Sequence, residues 1–437
     1  MKTINVGLIG FGTVGSGTAE VLLQQSERLS CKTGCRLRLK TVADIVTKKL
    51  PPQFAGVELT NDATNIFSDP DIDIVVELIG GIEPARTFIL KAIAAGKHVV
   101  TANKALISQH GMEIFTAAAE KGVEVGFEAS VGGGIPVIKA LKEGLAANRI
   151  ESIMGIMNGT ANYILNRMTE EGVPFAEVLK DAQAQGFAEA DPTYDVEGID
   201  TAHKLVILMT MAYGMSVRLS DVSTEGISNI EPIDIEFARD FGYRIKLLAI
   251  SVNHGDHVEA RVHPTLVPAD HMLANIGGAY NGIHFRGDMV GNVLFYGLGA
   301  GKMPTGSAVV ADIVDIARNI DYGSVGRVPS LAYLPEKIGP GRITPMEDLR
   351  CPYYFRITAE DKPGVLSTLS GILGKNNISI ESVIQMGRKK KGTVPVMIRT
   401  YEASESSVRI ALAEIDALET CPVKTVKIRI LRDDNNN

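Results

Sequence analysis

"INVGLIGFGTVG", from Ile4 to Gly15, is the stretch whose reading decides the fold. A β-branched apolar run leads into Gly10, Gly12 and Gly15, spaced as G-x-G-x-x-G, and a helical pattern opens at about Thr13. In that context Gly10 allows a tight turn, Gly12 lets the backbone approach a pyrophosphate, and Gly15 lets the helix pack on the sheet. The helix N-terminus offers free N–H groups and the positive end of its dipole to phosphates. Glycine spacing alone is a weak sign. A strand before it and a helix after it make an ordinary glycine-rich turn the poorer reading.

Outward from that stretch, short β-branched runs ("LRLKTVAD", "IDIVVELIG", "KHVVTA", "VEVGF") alternate with helical patterns ("ARTFILKAIAAG", "GMEIFTAAAEKG"). This alternation predicts an α/β protein with a Rossmann-type parallel sheet covered by helices on both faces. Near Gly132 the rhythm changes. From Ile135 to about Gly301 helical patterns mix with strand-like pieces such as "RIESIMGIMN" and "HVEARVHPTLV", which predicts an α+β region with its own core. Beyond "EKIGPGRITPMEDLRCP" the order is βαββαβ, a ferredoxin-like unit whose second and third strands flank the basic turn "GRKKKG". Pro395 in "TVPVMIRT" predicts an edge strand or a bulge there. The expected division is 1–133 for the nucleotide, completed by 302–330, then 134–301, a linker over 331–350, the unit 351–432, and a disordered tail 433–437.

The 437 residues are 45% hydrophobic and 22% charged with a net charge of −7, so packed cores are expected and nucleic acid is not an expected partner. The first apolar run begins at Ile4, which leaves no room for a signal peptide, and no run is long enough to span a bilayer. Cys31, Cys35, Cys351 and Cys421 are too few for a disulfide framework and lack the partners of a zinc site. A soluble, reduced, cytoplasmic protein is expected, with no membrane contact.

Chemistry concentrates in "EADPTYDVEGIDTAHKL", where Glu189, Asp191, Asp195, Glu197 and Asp200 precede Lys204. Asp200 and Lys204 are i and i+4 on a predicted helix and share a face. The helix is apolar past Leu205, so its first turn sits at the edge of a core. Partial burial eases deprotonation of the Lys204 ammonium, and the adjacent carboxylate opposes that shift. Reduction of an aldehyde needs a proton at the carbonyl oxygen as hydride reaches carbon, and a lysine held by an aspartate can give one. An exposed ion pair would explain Asp200 and Lys204 but not Glu189 and Asp195 upstream. A hard-cation cage ranks third, because the spacing lacks the glycine-turned EF-hand pattern. His203 faces another way, as a structural or solvent-facing residue.

"KHVVTANKAL" ends a strand with Asn103 and Lys104. Ligands of open parallel sheets bind outside the carboxyl ends of the strands, which aims Lys104 at the nucleotide side. Asp44 closes the second strand, where an acid binds the ribose of NAD, while Lys48 and Lys49 follow closely and suit a 2′-phosphate, so NAD and NADP both stay open.

Six pieces of the chain together resemble the homoserine dehydrogenase family: "GLIGFGTVG", "VVTANKAL", "EASVGGGIPVI", "GIMNGTANYIL", "AQAQGFAEADPTYDVEGIDTAHKL" and "GLGAGKMPTGSAVVAD". The resemblance implies NAD- or NADP-dependent interconversion of L-homoserine and L-aspartate 4-semialdehyde, on the way to threonine and methionine. It implies Lys204 as proton donor, Glu189 and Asp200 as substrate-binding acids with Asp195 in support, and Lys104 between nicotinamide and substrate. Backbone of Asn158, Gly159 and Thr160 would contact substrate. Phe11, Thr13 and Val14, with Gly10, Gly12, Gly15, Gly186 and Gly301, would line the cofactor. Oxygens of Glu128, Val131, Gly133 and Ile135 would hold sodium. Phe187 stands where some members carry tyrosine, so that hydroxyl is absent here.

The C-terminal unit resembles an ACT domain through "EDKPGVLSTLSGILGKNNISIESV", which implies feedback by threonine, with Asp361, Gly364 and Asn377 where ligand loops lie. A dimer built on the middle domain is expected, with a tetramer formed by further pairing of the ACT-like units. A phosphorylating semialdehyde dehydrogenase would need a cysteine nucleophile, and the substrate region has none. The alternative from another class is a non-catalytic sensor that binds nucleotide and amino acid without turnover.

Overall fold

In the computed structural model, residues 1–186, 188–385 and 392–432 are described. Most of the "GRKKKG" turn and the tail 433–437 lie outside them. The first sheet is parallel and built from β1 (Thr3–Ile9), β2 (Arg36–Ala43), β3 (Glu58–Thr60), β4 (Ile74–Glu77), β5 (His98–Thr101) and β6 (Val125–Gly126), in the order β3-β2-β1-β4-β5-β6. The order reverses between β2 and β4 around β1, so the crevice at the carboxyl end of β1 is where a dinucleotide belongs. Apolar side chains on one face, Ile4, Val6 and Leu8, are buried against Ala19 and Leu22 of the Thr13–Gln24 helix. The Lys302–Tyr322 helix completes that core with Val309, Ile313 and Ala317, although it lies far away in the chain. The last predicted strand, "VEVGF", is short because the chain turns at Phe127 into a 3₁₀ segment over Glu128–Ser130.

A second, mixed sheet of ten strands carries the rest of the chain. Its middle-domain strands are β7 (Ile150–Ile156), β8 (Tyr243–Asn253), β9 (Val258–Pro268), β10 (Tyr280–Gly287) and β11 (Gly291–Leu298). Its C-terminal strands are β12 (Tyr353–Glu360), β13 (Ile380–Gln385), β14 (Thr393–Thr400) and β15 (Val423–Ile430). The order is β11-β10-β7-β8-β9-β15-β12-β14-β13, with short Ser223–Thr224 also beside β9. The βαββαβ unit is present, its helices being Val365–Lys375 and Glu405–Asp416. What sequence did not foretell is that the two sheets are one. β9 and β15 pair in parallel, Thr265 with Arg429 and Leu266 with Ile430.

Buried ion pairs fasten the same seam. Arg429, 2% exposed, reaches Glu405 of its own domain and Glu225 of the middle domain at 2.7 Å each. Arg356 on β12 binds both oxygens of Asp234 at 2.7 and 3.1 Å, and the Tyr354 hydroxyl donates to the same acid at 3.1 Å. Removing one member of such a pair strands a buried charge, at about 3–5 kcal/mol.

Pro395 corrects one expectation. β14 is an interior strand between β12 and β13 rather than an edge. The residue is tolerated because it pairs with Thr358 on β12, while the described pairing with β13 stops at Gln385 opposite Val396. No helix among the described residues is long and apolar enough to cross a membrane.

Candidate active site

Two capping asparagines and one glycine place the polar cluster. β5 ends at Thr101, and Asn103 starts the next helix by accepting a hydrogen bond from the Leu106 N–H at 3.1 Å, which puts Lys104 in its first turn. β7 ends at Ile156, and Asn158 caps the Gly159–Glu171 helix through the Ala161 N–H at 2.7 Å. Gly198, in the left-handed region at φ +78°, turns the chain into the Ile199–Tyr213 helix that carries Asp200 and Lys204. Asparagine suits both caps because its carbonyl takes an orphan N–H while its amide stays available. In Asn158 that amide is used at once. Its Nδ2 donates to Asp195 Oδ1 at 2.7 Å and to Asp200 Oδ2 at 2.9 Å.

Asp200 is the hub. Its Oδ2 accepts from Lys204 Nζ at 2.7 Å, and its Oδ1 lies 3.0 Å from Lys104 Nζ. The Lys204 ammonium also donates to the Met157 carbonyl at 2.5 Å. Asp200 is 5% exposed and Lys204 7%, whereas the Lys104 side chain is 40% exposed. Burial opposes the charge on Asp200, yet Lys204, Lys104 and the hydrogen bonds from Lys204 and Asn158 outweigh it and hold the carboxyl well below its usual range. Asp200 raises Lys104 more than burial lowers it. Lys204 shifts down, because burial and the repulsion of Lys104 exceed the help of a shared carboxylate. Burial pushes Asp195 up. Two ammoniums therefore compete for one carboxylate, and the more buried one is the readier to lose its proton.

The other acids occupy the rim. Glu189 is exposed, is not hydrogen-bonded to this cluster among the described residues, and acts through its field on Lys104. Asp191 shapes the turn by accepting from the Thr193 N–H and hydroxyl at 3.1 and 2.6 Å. Gly159 and Thr160 form the first turn after Asn158, both half-buried. Gly186 is exposed at φ +76°, and Phe187 lies outside the described residues. His203 is structural and not solvent-facing: it is 2% exposed, with its Nδ1 2.6 Å from the Ser108 hydroxyl.

At the nucleotide end, Gly10 has φ +96°, and a Cβ on Gly15 would lie 2.0 Å from the Gly10 carbonyl, so helix and turn touch through bare backbone. Gly12 is the cap of the Thr13–Gln24 helix without any side-chain hydrogen bond, and nothing lies within 4 Å of its would-be Cβ. Phe11, Thr13 and Val14 surround that open helix end, which fits a pyrophosphate. Asp44 is occupied. Its Oδ2 accepts from the Phe11 N–H at 2.7 Å, and its Oδ1 from Val46 and Thr47 at 2.9 and 2.6 Å, stapling the glycine turn to the end of β2.

The turn from Glu128 to Ile135 lies against the second glycine-rich turn, since a Cβ on Gly133 would meet Gly299 at 2.5 Å. Gly301 follows at φ +124° and opens the Lys302–Tyr322 helix. The Glu128 carboxylate is taken by the Ile138 and Lys139 N–H groups at 2.9 and 2.8 Å. Among the described residues the buried carbonyls of Val131 and Gly133 accept no hydrogen bond, while Ile135 accepts one from Val137 at 2.8 Å. Buried carbonyls without donors suit a hard cation, and any share that Glu128 takes falls to its carbonyl.

Three residues that sequence reading passed over complete the picture: Met157, whose carbonyl helps fix Lys204; Ser108, the partner of His203; and buried Lys246, which donates to Asn162 of the Gly159–Glu171 helix. A carbonyl contact leaves no trace in residue type. Asn158 could have been read as a cap from the Asn-Gly that precedes a helical run.

The family model described as homoserine dehydrogenase matches residues 136–314, that of the homoserine dehydrogenase NAD binding domain matches 10–128, and the ACT domain model matches 353–420. The chain is 45% identical over 435 residues to the homoserine dehydrogenase of Neisseria gonorrhoeae, covering 99% of this chain and 100% of the relative. It is 46% identical to that of Pseudomonas aeruginosa, covering 98% and 99%. The crystal structure of a homoserine dehydrogenase from Thiobacillus denitrificans superposes with a TM-score of 0.93 at 48% identity, covering 99% of both chains. The chain therefore belongs to the homoserine dehydrogenase family, with an NAD-binding domain, a catalytic sheet and a C-terminal ACT domain.

Proposed function

We propose that the cluster around Asp200 is the place where L-homoserine is oxidised to L-aspartate 4-semialdehyde and the aldehyde is reduced back. The observation that carries this reading is one buried carboxylate shared by two lysines, Lys204 at 2.7 Å and Lys104 at 3.0 Å. The bound nicotinamide supplies or accepts the hydride. Lys204 holds the proton for the substrate oxygen, giving it as the aldehyde is reduced and taking it as the alcohol is oxidised. Asp200 and the Met157 carbonyl fix its position. Lys104 stays charged and orients substrate, Glu189 faces the α-ammonium, and Asp195 with the Asn158–Thr160 turn closes the polar wall. A purely sensing role has no use for a lysine whose proton affinity is lowered.

NADP is accepted at least as well as NAD on this reading. The Asp44 carboxylate is engaged by three N–H groups, and Lys48 and Lys49 follow it on an exposed loop. The carbonyls of Val131 and Gly133 would hold a sodium ion, which would support the turn. Subunits pair through edge strand β11, where Tyr296 stacks at 5.1 Å on Tyr280 of the neighbouring β10 and Leu298 is 44% exposed. Threonine acts at the ACT domain near Gly364 and Asn377, both of positive φ, and further pairing there gives a tetramer. The four free thiols suit a reducing cytoplasm.

The test is homoserine-dependent reduction of NADP⁺ and NAD⁺ by the full-length protein, with and without threonine. Turnover with at least one nucleotide is expected, with NADP⁺ no worse than NAD⁺. No turnover with either, in either direction, would refute the assignment.

A further inference from the structure

Lys246 lies in the middle of β8, 3% exposed, and no ion pair joins it to a carboxylate among the described residues. A buried ammonium without a counter-charge is costly, and methionine would fill similar space without that cost. The position therefore keeps an amino group for what it donates to. Its Nζ donates to the Ile276 carbonyl at 2.6 Å and to Asn162 Oδ1 at 3.1 Å. Burial brings the group down to about 8, with Arg244 adding to the shift and Glu170 opposing it.

Asn162, 1% exposed, continues the contact. Its Nδ2 lies 3.2, 3.4, 3.0 and 3.1 Å from the carbonyls of Ile276, Gly277, Gly278 and Tyr280, so the loop wraps around one amide. Two adjacent glycines give that loop little rigidity of its own. The loop presses on the site: a Cβ on Gly159 would lie 2.8 Å from the Ala279 carbonyl. Asn162 is also one helical turn beyond Asn158, whose amide holds Asp195 and Asp200.

We propose that Lys246 is a positioning residue that acts through Asn162, pinning the Ile276–Tyr280 loop against Gly159 and so setting the depth at which the Asn158–Thr160 turn meets the amino-acid substrate. This rests on the assignment of that turn to substrate. Neither side chain touches the reacting atoms. The effect is therefore on homoserine binding, not on the nucleotide.

Steady-state kinetics of full-length Lys246→Met, Asn162→Leu and the double variant test this. Lys246→Met is expected to raise the homoserine KM about tenfold, equivalent to ~1.4 kcal/mol, with the nucleotide KM within twofold of wild type. The double variant is expected to lose no more than the worse single one, since both remove the same pin. Should Lys246→Met fail to fold, Lys246→Gln keeps a donor for Ile276 and is expected to raise the homoserine KM by a smaller factor. An unchanged homoserine KM, equal changes in both KM values, or additive losses in the double variant would each overturn the proposal. Absence of homoserine turnover in the wild type would instead refute the functional assignment beneath it.

Discussion

Replacing Lys204 by methionine is expected to lower kcat for homoserine oxidation by about 10²–10⁴-fold, the range for removing a positioned acid–base group. Nucleotide affinity should be unchanged, because Lys204 lies on the Ile199–Tyr213 helix and the glycine turn is built on β1. Methionine fits a site that is 7% exposed, and Asp200 keeps Lys104 and the Asn158 amide, so the protein should remain folded. The pH profile sharpens the test. Burial and Lys104 lower the proton affinity of Lys204, so oxidation should accelerate as pH rises and the amine becomes free to take the substrate proton. The methionine variant should lose that limb. Full activity in Lys204→Met would remove the residue from the mechanism.

Replacing Asp200 by asparagine is expected to cost both activity and stability. Among the described residues, this carboxylate is the one acid that both site lysines reach, at 2.7 and 3.0 Å. Without it a buried ammonium stands uncompensated, at about 3–5 kcal/mol of stability, and denaturant unfolding should shift accordingly. Because the folded carboxyl sits below its unfolded value near 3.9, its contribution is present above that pH and lost as pH falls through the folded value. Acid unfolding of wild type should therefore show a stabilising limb that the variant lacks. Turnover should drop by about 10²-fold or more, as Lys204 loses its orientation. Unchanged stability at neutral pH would mean that the lysines find other counter-charges.

Much of this was legible in the chain. Gly10, Gly12 and Gly15 announce the nucleotide turn because backbone contact, such as Gly15 against the Gly10 carbonyl, tolerates only glycine. Asp200 and Lys204 were readable because i,i+4 spacing is a property of the helix itself. Lys104 on Asp200 joins residues 96 positions apart, and no local pattern encodes that distance. Two residues carry contacts that local sequence does not show. Asp44, beside which the choice between NAD and NADP stayed open, accepts from three backbone N–H groups, and Pro395, read as an edge strand or a bulge, lies in an interior strand. The single sheet through the middle and ACT domains was invisible, since pairing of β9 with β15 depends on partners far apart in sequence.

On the proposed function, Asp200 and Lys204 form the place where the alcohol becomes an aldehyde. The most direct test is a crystal structure of the protein with NADP⁺ and homoserine bound. The homoserine hydroxyl oxygen is expected within about 3 Å of Lys204 Nζ, with the α-ammonium toward Glu189. Homoserine bound away from Asp200, or turned with its carboxylate against Lys204, would contradict it.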